Sequence, residues 1–218
     1  MQMFNAFMLA FIAILPVVNP FSKPAIFLSI TEGSTPEARK SQALKASIYA
    51  FIILLVSFGA GTLILSFFAI SLPALQIAGG MLIARTAFQM LNPQKEHHQN
   101  PHEEAEAREK EDVSFVPLAM PLLSGPGAMA VMINLATNTP VWTDWILVSL
   151  AAGVVCLLSY FVLAESLLLL RILGVNGMNA MSKVMGFLLL SLAVQFIING
   201  ASGALTTLVQ HLQAAGES

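Results

Sequence analysis

Two proline-interrupted apolar stretches carry the residues best suited to chemistry. The first, AILPVVNPFSKPAIF (13–27), places prolines at 16, 20 and 24, with Asn19 and Lys23 between them. The second, PLAMPLLSGPGA (117–128), has prolines at 117, 121 and 126 and ends in Ser124, Gly125, Pro126, Gly127 and Ala128. Proline has no N–H for the carbonyl four residues earlier, and its ring pushes that carbonyl aside. In a helix, Pro16, Pro20 and Pro24 would free the carbonyls of Ile12, Pro16 and Pro20; Pro117, Pro121 and Pro126 would free those of Val113, Pro117 and Leu122. Freed carbonyls are acceptors. A half-helix restarting at SGPGA offers donors, the N–H groups of Gly125, Gly127 and Ala128, at the positive end of a helix dipole. Its glycines also allow a ligand close to the backbone. Acceptors for an ammonium beside donors for a carboxylate suit a neutral amino acid. The expected substrate-binding residues are therefore Asn19, Pro20, Ser124, Gly125, Pro126, Gly127 and Ala128. Kinks that serve helix contacts alone are the competing reading, since proline and glycine are common in membrane helices.

The elements that must hold these residues are membrane helices. Of the 218 residues 56% are hydrophobic and 10% charged, with mean hydropathy +0.77. Crossing a hydrocarbon core takes about 20 apolar residues, and runs of that kind occupy 4–30, 43–69, 73–91, 113–137, 143–173 and 179–208. The first run lacks a basic leader and a small-residue cleavage site, so it reads as a retained helix. At ~1.5 Å per residue, Asn19 and Gly125 fall ~18–23 Å into their runs, near the middle of a bilayer. Unsatisfied backbone at that depth must face protein or a polar cavity.

Orientation follows from the basic residues, which stay cytoplasmic. Arg39, Lys40 and Lys45, then Lys95, Arg108 and Lys110, then Arg171 and Lys183 fall on alternate connections, eight of the ten in the chain. Both termini are expected outside. An offset of 106 residues aligns Asn19-Pro20 with Gly125-Pro126, Thr31 with Thr137, and Gly80, Ala87 and Gln89 with Gly186, Ala193 and Gln195. Each half has an odd number of spans, so a second copy must enter from the opposite side. The expected fold is all-α: six transmembrane helices in two inverted three-helix repeats (1–91 and 113–218) joined by an acidic linker (92–112), with helices one and four broken near the midplane.

Other polar residues read as gating or supporting groups. Gln89 and Gln195 should lie toward opposite membrane faces, and Asn199, one turn past Gln195, should share its network. Interhelical hydrogen bonding is their plainer role. Among Asp, Glu, Lys and Arg, Lys23, Arg85 and Glu165 lie deepest inside the runs, some six to eight residues from an end; the basic pair can snorkel, and Glu165 is expected to pair with Arg85 or Lys23. The linker's EHHQNPHEE (96–104) holds His97, His98 and His102, a composition that is a weak metal signal and reads first as a solvated linker. The lone Cys156 excludes an internal disulfide and a multi-cysteine metal site. No nucleophile–base pair or phosphate loop is present, which argues against an enzyme. A net charge of −2 without a basic patch gives no nucleic-acid footprint.

The NP pair with IAGGMLIARTAFQML (77–91), FVPLAMPLLSGPGA (115–128) and MGFLLLSLAVQFIING (185–200) resembles the MarC family of integral inner-membrane proteins over nearly the whole chain. The resemblance implies a bacterial inner-membrane location and, through relatives that carry glycine and alanine, transport of small neutral amino acids. It places Asn19, Pro20, Gly125, Pro126 and Gly127 at the signature positions. Ser22 stands where many relatives have glycine, and Lys23 and Arg85 where residues are usually uncharged, departures that bear on substrate choice. The expected function is a secondary transporter without a cofactor or resident metal, working by alternating access on a small-molecule substrate among membrane lipids. Assembly-factor and drug- or metal-export roles are the alternatives. Gly79, Gly80 and Gly186 permit close helix contacts within one subunit or between copies of a homo-oligomer.

Overall fold

The computed structural model describes residues 2–92, 112–139 and 141–216, which form helices and turns with no strand among them. Linker residues 93–111, including the three histidines, lie outside the described residues. The first apolar run divides in two. α1 (Gln2–Val18) runs through Pro16 and stops at Asn19, whose backbone is left-handed at φ 41°. A 3₁₀ turn (Pro20–Ser22) and α2 (Pro24–Ile30) follow. Pro20 and Pro24 each open a helical piece, a position where the missing N–H would go unused anyway. Asparagine tolerates positive φ better than most side chains, so the break falls on it.

α3 (Pro36–Phe67) starts from Thr35, whose hydroxyl oxygen accepts the Ala38 N–H at 3.2 Å, with Glu37 placed favourably in the first turn. It ends over left-handed Ala69, where the Ile70 N–H returns to the Leu65 carbonyl at 2.8 Å. α4 (Leu72–Leu91) is capped in the same way by Ser71.

The second half opens differently from the expected half-helix. Within Ser114–Leu123, Val116 and Met120 are extended, at φ −123° and −129°. Each precedes a proline, whose ring disfavours helical geometry in the residue before it. Wide turns hold the segment, with the Leu118 N–H on the Val113 carbonyl at 3.2 Å and the Ser124 N–H on the Ala119 carbonyl at 2.9 Å. A bend of 62° then leads into α5 (Pro126–Thr137). α6 (Trp142–Ala164) and α7 (Ser166–Gly216) complete the chain, with α7 interrupted at Gly174 (φ 65°). The expected run 143–173 is thus cut at Glu165, and a second break follows just past its end at Gly174, which adopts a conformation closed to most side chains.

By length and composition four helices can cross a membrane, five if the bent pair counts as one span. α4 has the length for a sixth, at 20 residues, but it carries Gln76, Arg85 and Gln89. Large apolar side chains cover the outside, among them Phe67, Trp142, Ile146 and Phe187, which suits a molecule dissolved in lipid.

α4 and α7 lie antiparallel along a glycine seam. A Cβ built on Gly80 would stand 2.9 Å from the Ala193 carbonyl oxygen, and one on Gly186 would stand 3.3 Å from the Ala87 carbonyl oxygen. Gly200 faces Pro73 and Ile77 in the same descending order, and Gly79 meets Ala130 of α5. These glycines therefore serve contacts within one chain. α1 packs on α6, while α3 packs on α5, α6 and the wide-turn segment. Fully buried Phe27, Phe58, Leu54, Ile83 and Leu189 fill the centre.

Two ion pairs gather the charged connections at one end of the bundle. Lys40 meets Glu165 at 3.0 Å and Lys45 meets Asp112 at 2.7 Å, each side chain about half exposed. Glu165 sits in the α6–α7 junction and not inside a span, so its partner is Lys40 and neither Arg85 nor Lys23.

Candidate functional site

Asn19 is 1% exposed and occupies the gap between α1 and the 3₁₀ turn. Its Nδ2 donates to the Met90 sulfur of α4 at 3.4 Å, while its Oδ1 is buried without a partner. No backbone N–H among the described residues donates to the carbonyls of Pro16, Val17 or Val18. The Pro20 carbonyl is not free as expected; the Lys23 N–H reaches it at 3.4 Å. Released acceptors thus lie just before the break, since the 3₁₀ turn reuses the carbonyl after it. Pro20 is buried, and Ser22 Oγ donates to the Asn19 carbonyl at 3.3 Å. Lys23 is half-buried at the start of α2.

At the second break Ser124 is fully buried, and both its hydroxyl (2.7 Å) and its N–H (2.9 Å) donate to the Ala119 carbonyl. Gly125 precedes α5, and its carbonyl accepts from the N–H groups of Ala128 (2.9 Å) and Met129 (3.2 Å). The Ala128 N–H is therefore spent inside the helix, contrary to expectation, and so is the Val113 carbonyl, taken by Leu118. At this break the N–H groups of Gly125 and Gly127 have no acceptor among the described residues. Pro126 is exposed and Ala128 buried.

Tertiary structure brings the breaks together through Gly127. A Cβ built there would lie 3.1 Å from Ile83 of α4 and 3.7 Å from Val17, two residues before Asn19. The levels differ along α4, because Met90 follows Ile83 by seven residues, about two turns. The two breaks thus offer complementary groups, a buried amide oxygen and carbonyls without donors at the first and N–H groups at a helix start at the second.

The supporting residues separate. Gln89 is half-buried and, with Arg85, Phe88 and Asn92, lines an open hollow of about 620 Å³ at the linker end of α4. Gln195 donates to Asn199 Oδ1 at 2.7 Å, the network expected of them, but both are exposed on the outer face of α7. From the seam register, Gln89 and Gln195 lie ~15 Å apart along the helix pair. Sequence reasoning passed over one partly buried polar pair, Gln76 Nε2 donating to Asn134 Oδ1 at 2.7 Å between α4 and α5. An amide in each of two apolar runs was the available signal. Among the described residues no group of three or more His, Cys, Asp or Glu side chains is placed to hold a metal.

The sequence pattern of the family described as MarC family integral membrane protein matches residues 4–205. The chain is 37% identical over 211 residues to the UPF0056 inner membrane protein MarC of Citrobacter koseri, an alignment covering 92% of this chain and 96% of that protein. The protein of the same name from Escherichia coli (strain K12 / DH10B) is also 37% identical with the same coverage. No solved structure matches. A family pattern that spans the breaks, the glycine seam and the helices around them identifies this chain as a member of the MarC family of integral membrane proteins.

Proposed function

We propose that the chain is a multi-pass inner-membrane transporter that moves small neutral amino acids or similar zwitterions by alternating access. The observation that carries this reading is the Asn19 oxygen, buried without a partner at the break that ends α1. A buried polar atom left unpaired costs ~1–3 kcal/mol, a cost that a bound ammonium would remove. The N–H groups of Gly125 and Gly127 are the donors that the second break offers a carboxylate. The names of the relatives support an inner-membrane location.

The two halves read as inverted repeats of three spans, with α4 as the third span and the bent pair as the fourth. Support comes from the reciprocal seam, since Gly80 with Ala193 and Gly186 with Ala87 exchange under the 106-residue offset. Such an exchange is what a two-fold axis in the membrane plane produces. With three charged connections at one end, the positive-inside rule places that end in the cytoplasm and both termini outside.

Counterflow of labelled alanine and glycine into proteoliposomes tests the reading, with Asn19→Gly as the diagnostic variant. Glycine keeps the left-handed backbone at no steric cost and removes only the amide. Wild-type flux above empty liposomes, reduced at least tenfold in Asn19→Gly while the variant elutes as folded protein, is expected. No flux from folded wild type would overturn transport, and equal flux in Asn19→Gly would overturn the role of the amide.

A further inference from the structure

The outer face of α7 carries a polar stripe that the proposed transport site does not use. Ser191, Gln195, Asn199, Ser202 and Thr206 are all exposed, at spacings that place them within ~80° of one another over ~22 Å of helix. The opposite face packs inward through Leu189, Ala193 and Phe196, and Gly186 and Gly200 meet α4, so the stripe lies away from both breaks. Ser191 and Thr206 return their hydroxyls to the carbonyls of Phe187 (3.1 Å) and Ser202 (2.9 Å). The amides do not close on themselves. One bond, from Gln195 to Asn199, leaves further donors and an acceptor on two side chains that can make several. Hydrocarbon supplies no partner for these groups.

We infer that this stripe is where two copies of the chain join through their α7 helices. The occupant follows from the chemistry. An amide is donor and acceptor at once, so Gln195 and Asn199 complement their own images across a two-fold axis, which makes the same patch serve both subunits. Residues 184–210 include no Asp, Glu, Lys or Arg. Two copies therefore do not repel, and a charged headgroup or charged partner segment finds nothing to pair with there. Phe187, Val194, Ile198 and Leu205, all exposed, flank the amides and supply apolar contact.

Cysteine crosslinking in native membranes tests the interface, and Cys156→Ser leaves a cysteine-free background because the chain has one cysteine. Ile198→Cys keeps every polar side chain of the stripe; Ile146→Cys, at least as exposed on α6, is the control. Mild oxidation is expected to convert most Ile198→Cys chains, and few Ile146→Cys chains, to a disulfide dimer containing two copies by mass spectrometry. Adding Gln195→Leu and Asn199→Leu should reduce that dimer at least fivefold, with monodisperse elution in detergent verifying that the variant is folded. The inference is overturned if Ile198→Cys crosslinks no more than Ile146→Cys, if the band contains another protein, or if the leucine pair leaves it unchanged.

Discussion

Gly200→Ala probes the seam between α4 and α7, where shape decides and chemistry barely enters. A Cβ at Gly200 would stand 2.7 Å from the Pro73 carbonyl oxygen and 3.0 Å from the Ile77 nitrogen. Both are backbone atoms of α4 and cannot rotate away. Ordinary contact begins at 3.4 Å, so the helices must part locally by about 0.7 Å. A gap of that size forfeits a quarter to a half of each neighbouring van der Waals contact, and overpacking of this kind costs ~1–3 kcal/mol. Alanine also returns ~0.5–1 kcal/mol wherever it replaces a glycine inside a helix. Gly59→Ala on α3 isolates that gain, because nothing lies within 4 Å of its built Cβ. The two variants should thus differ by the overpacking cost, and at ~2–4 °C per kcal/mol that separates their midpoints by ~2–12 °C. Heating purified protein in detergent and measuring the monodisperse fraction by size exclusion reads the difference. Equal midpoints would refute the seam geometry.

Gln76→Leu should destabilise the protein by ~0.5–2 kcal/mol, because it leaves the Asn134 oxygen without its donor; adding Asn134→Leu should recover most of the loss, and a double-mutant cycle that shows no coupling would remove the pair from the account. Asp112 is held down to about 2, first by the Lys45 ammonium and then by the Ser114 hydroxyl and N–H. Because its folded value lies below the ordinary 3.8, the stabilisation is full above about 4 and is lost as pH falls through 2. The pair is half exposed, so water and salt screen it and its contribution is small. Unfolding midpoints of wild type and Asp112→Asn should differ at pH ~6 and converge toward pH ~2, and a difference constant with pH would refute the assignment.

Much of this architecture is legible in the sequence because its causes are local. Apolar runs long enough to cross a bilayer, prolines without an N–H, and basic residues confined to alternate connections act through neighbours in the chain. They located both breaks to within a residue or two, at Asn19 and at Ser124–Gly125. Helical spacing also set Asn199 one turn past Gln195, where the two side chains bond. Where a local rule met a second local rule, sequence reading erred. Pro20 and Pro24 open helical turns, and the prolines of 117–121 force their predecessors into extended geometry, so some carbonyls expected to be free are bonded.

What only the tertiary structure decided is which groups meet across helices. Glu165 left its expected span and found Lys40, because a break at the α6–α7 junction carries it to the end where α3 begins. Gly127 came to Val17 and Ile83, so the two breaks became neighbours. Gln195 and Asn199 turned outward, because Gly186 and Gly200 claim the other face of the helix for α4. Periodicity marks faces of a helix but does not say what each face meets. That choice belongs to the close approach of backbones, which depends on residues a hundred positions away.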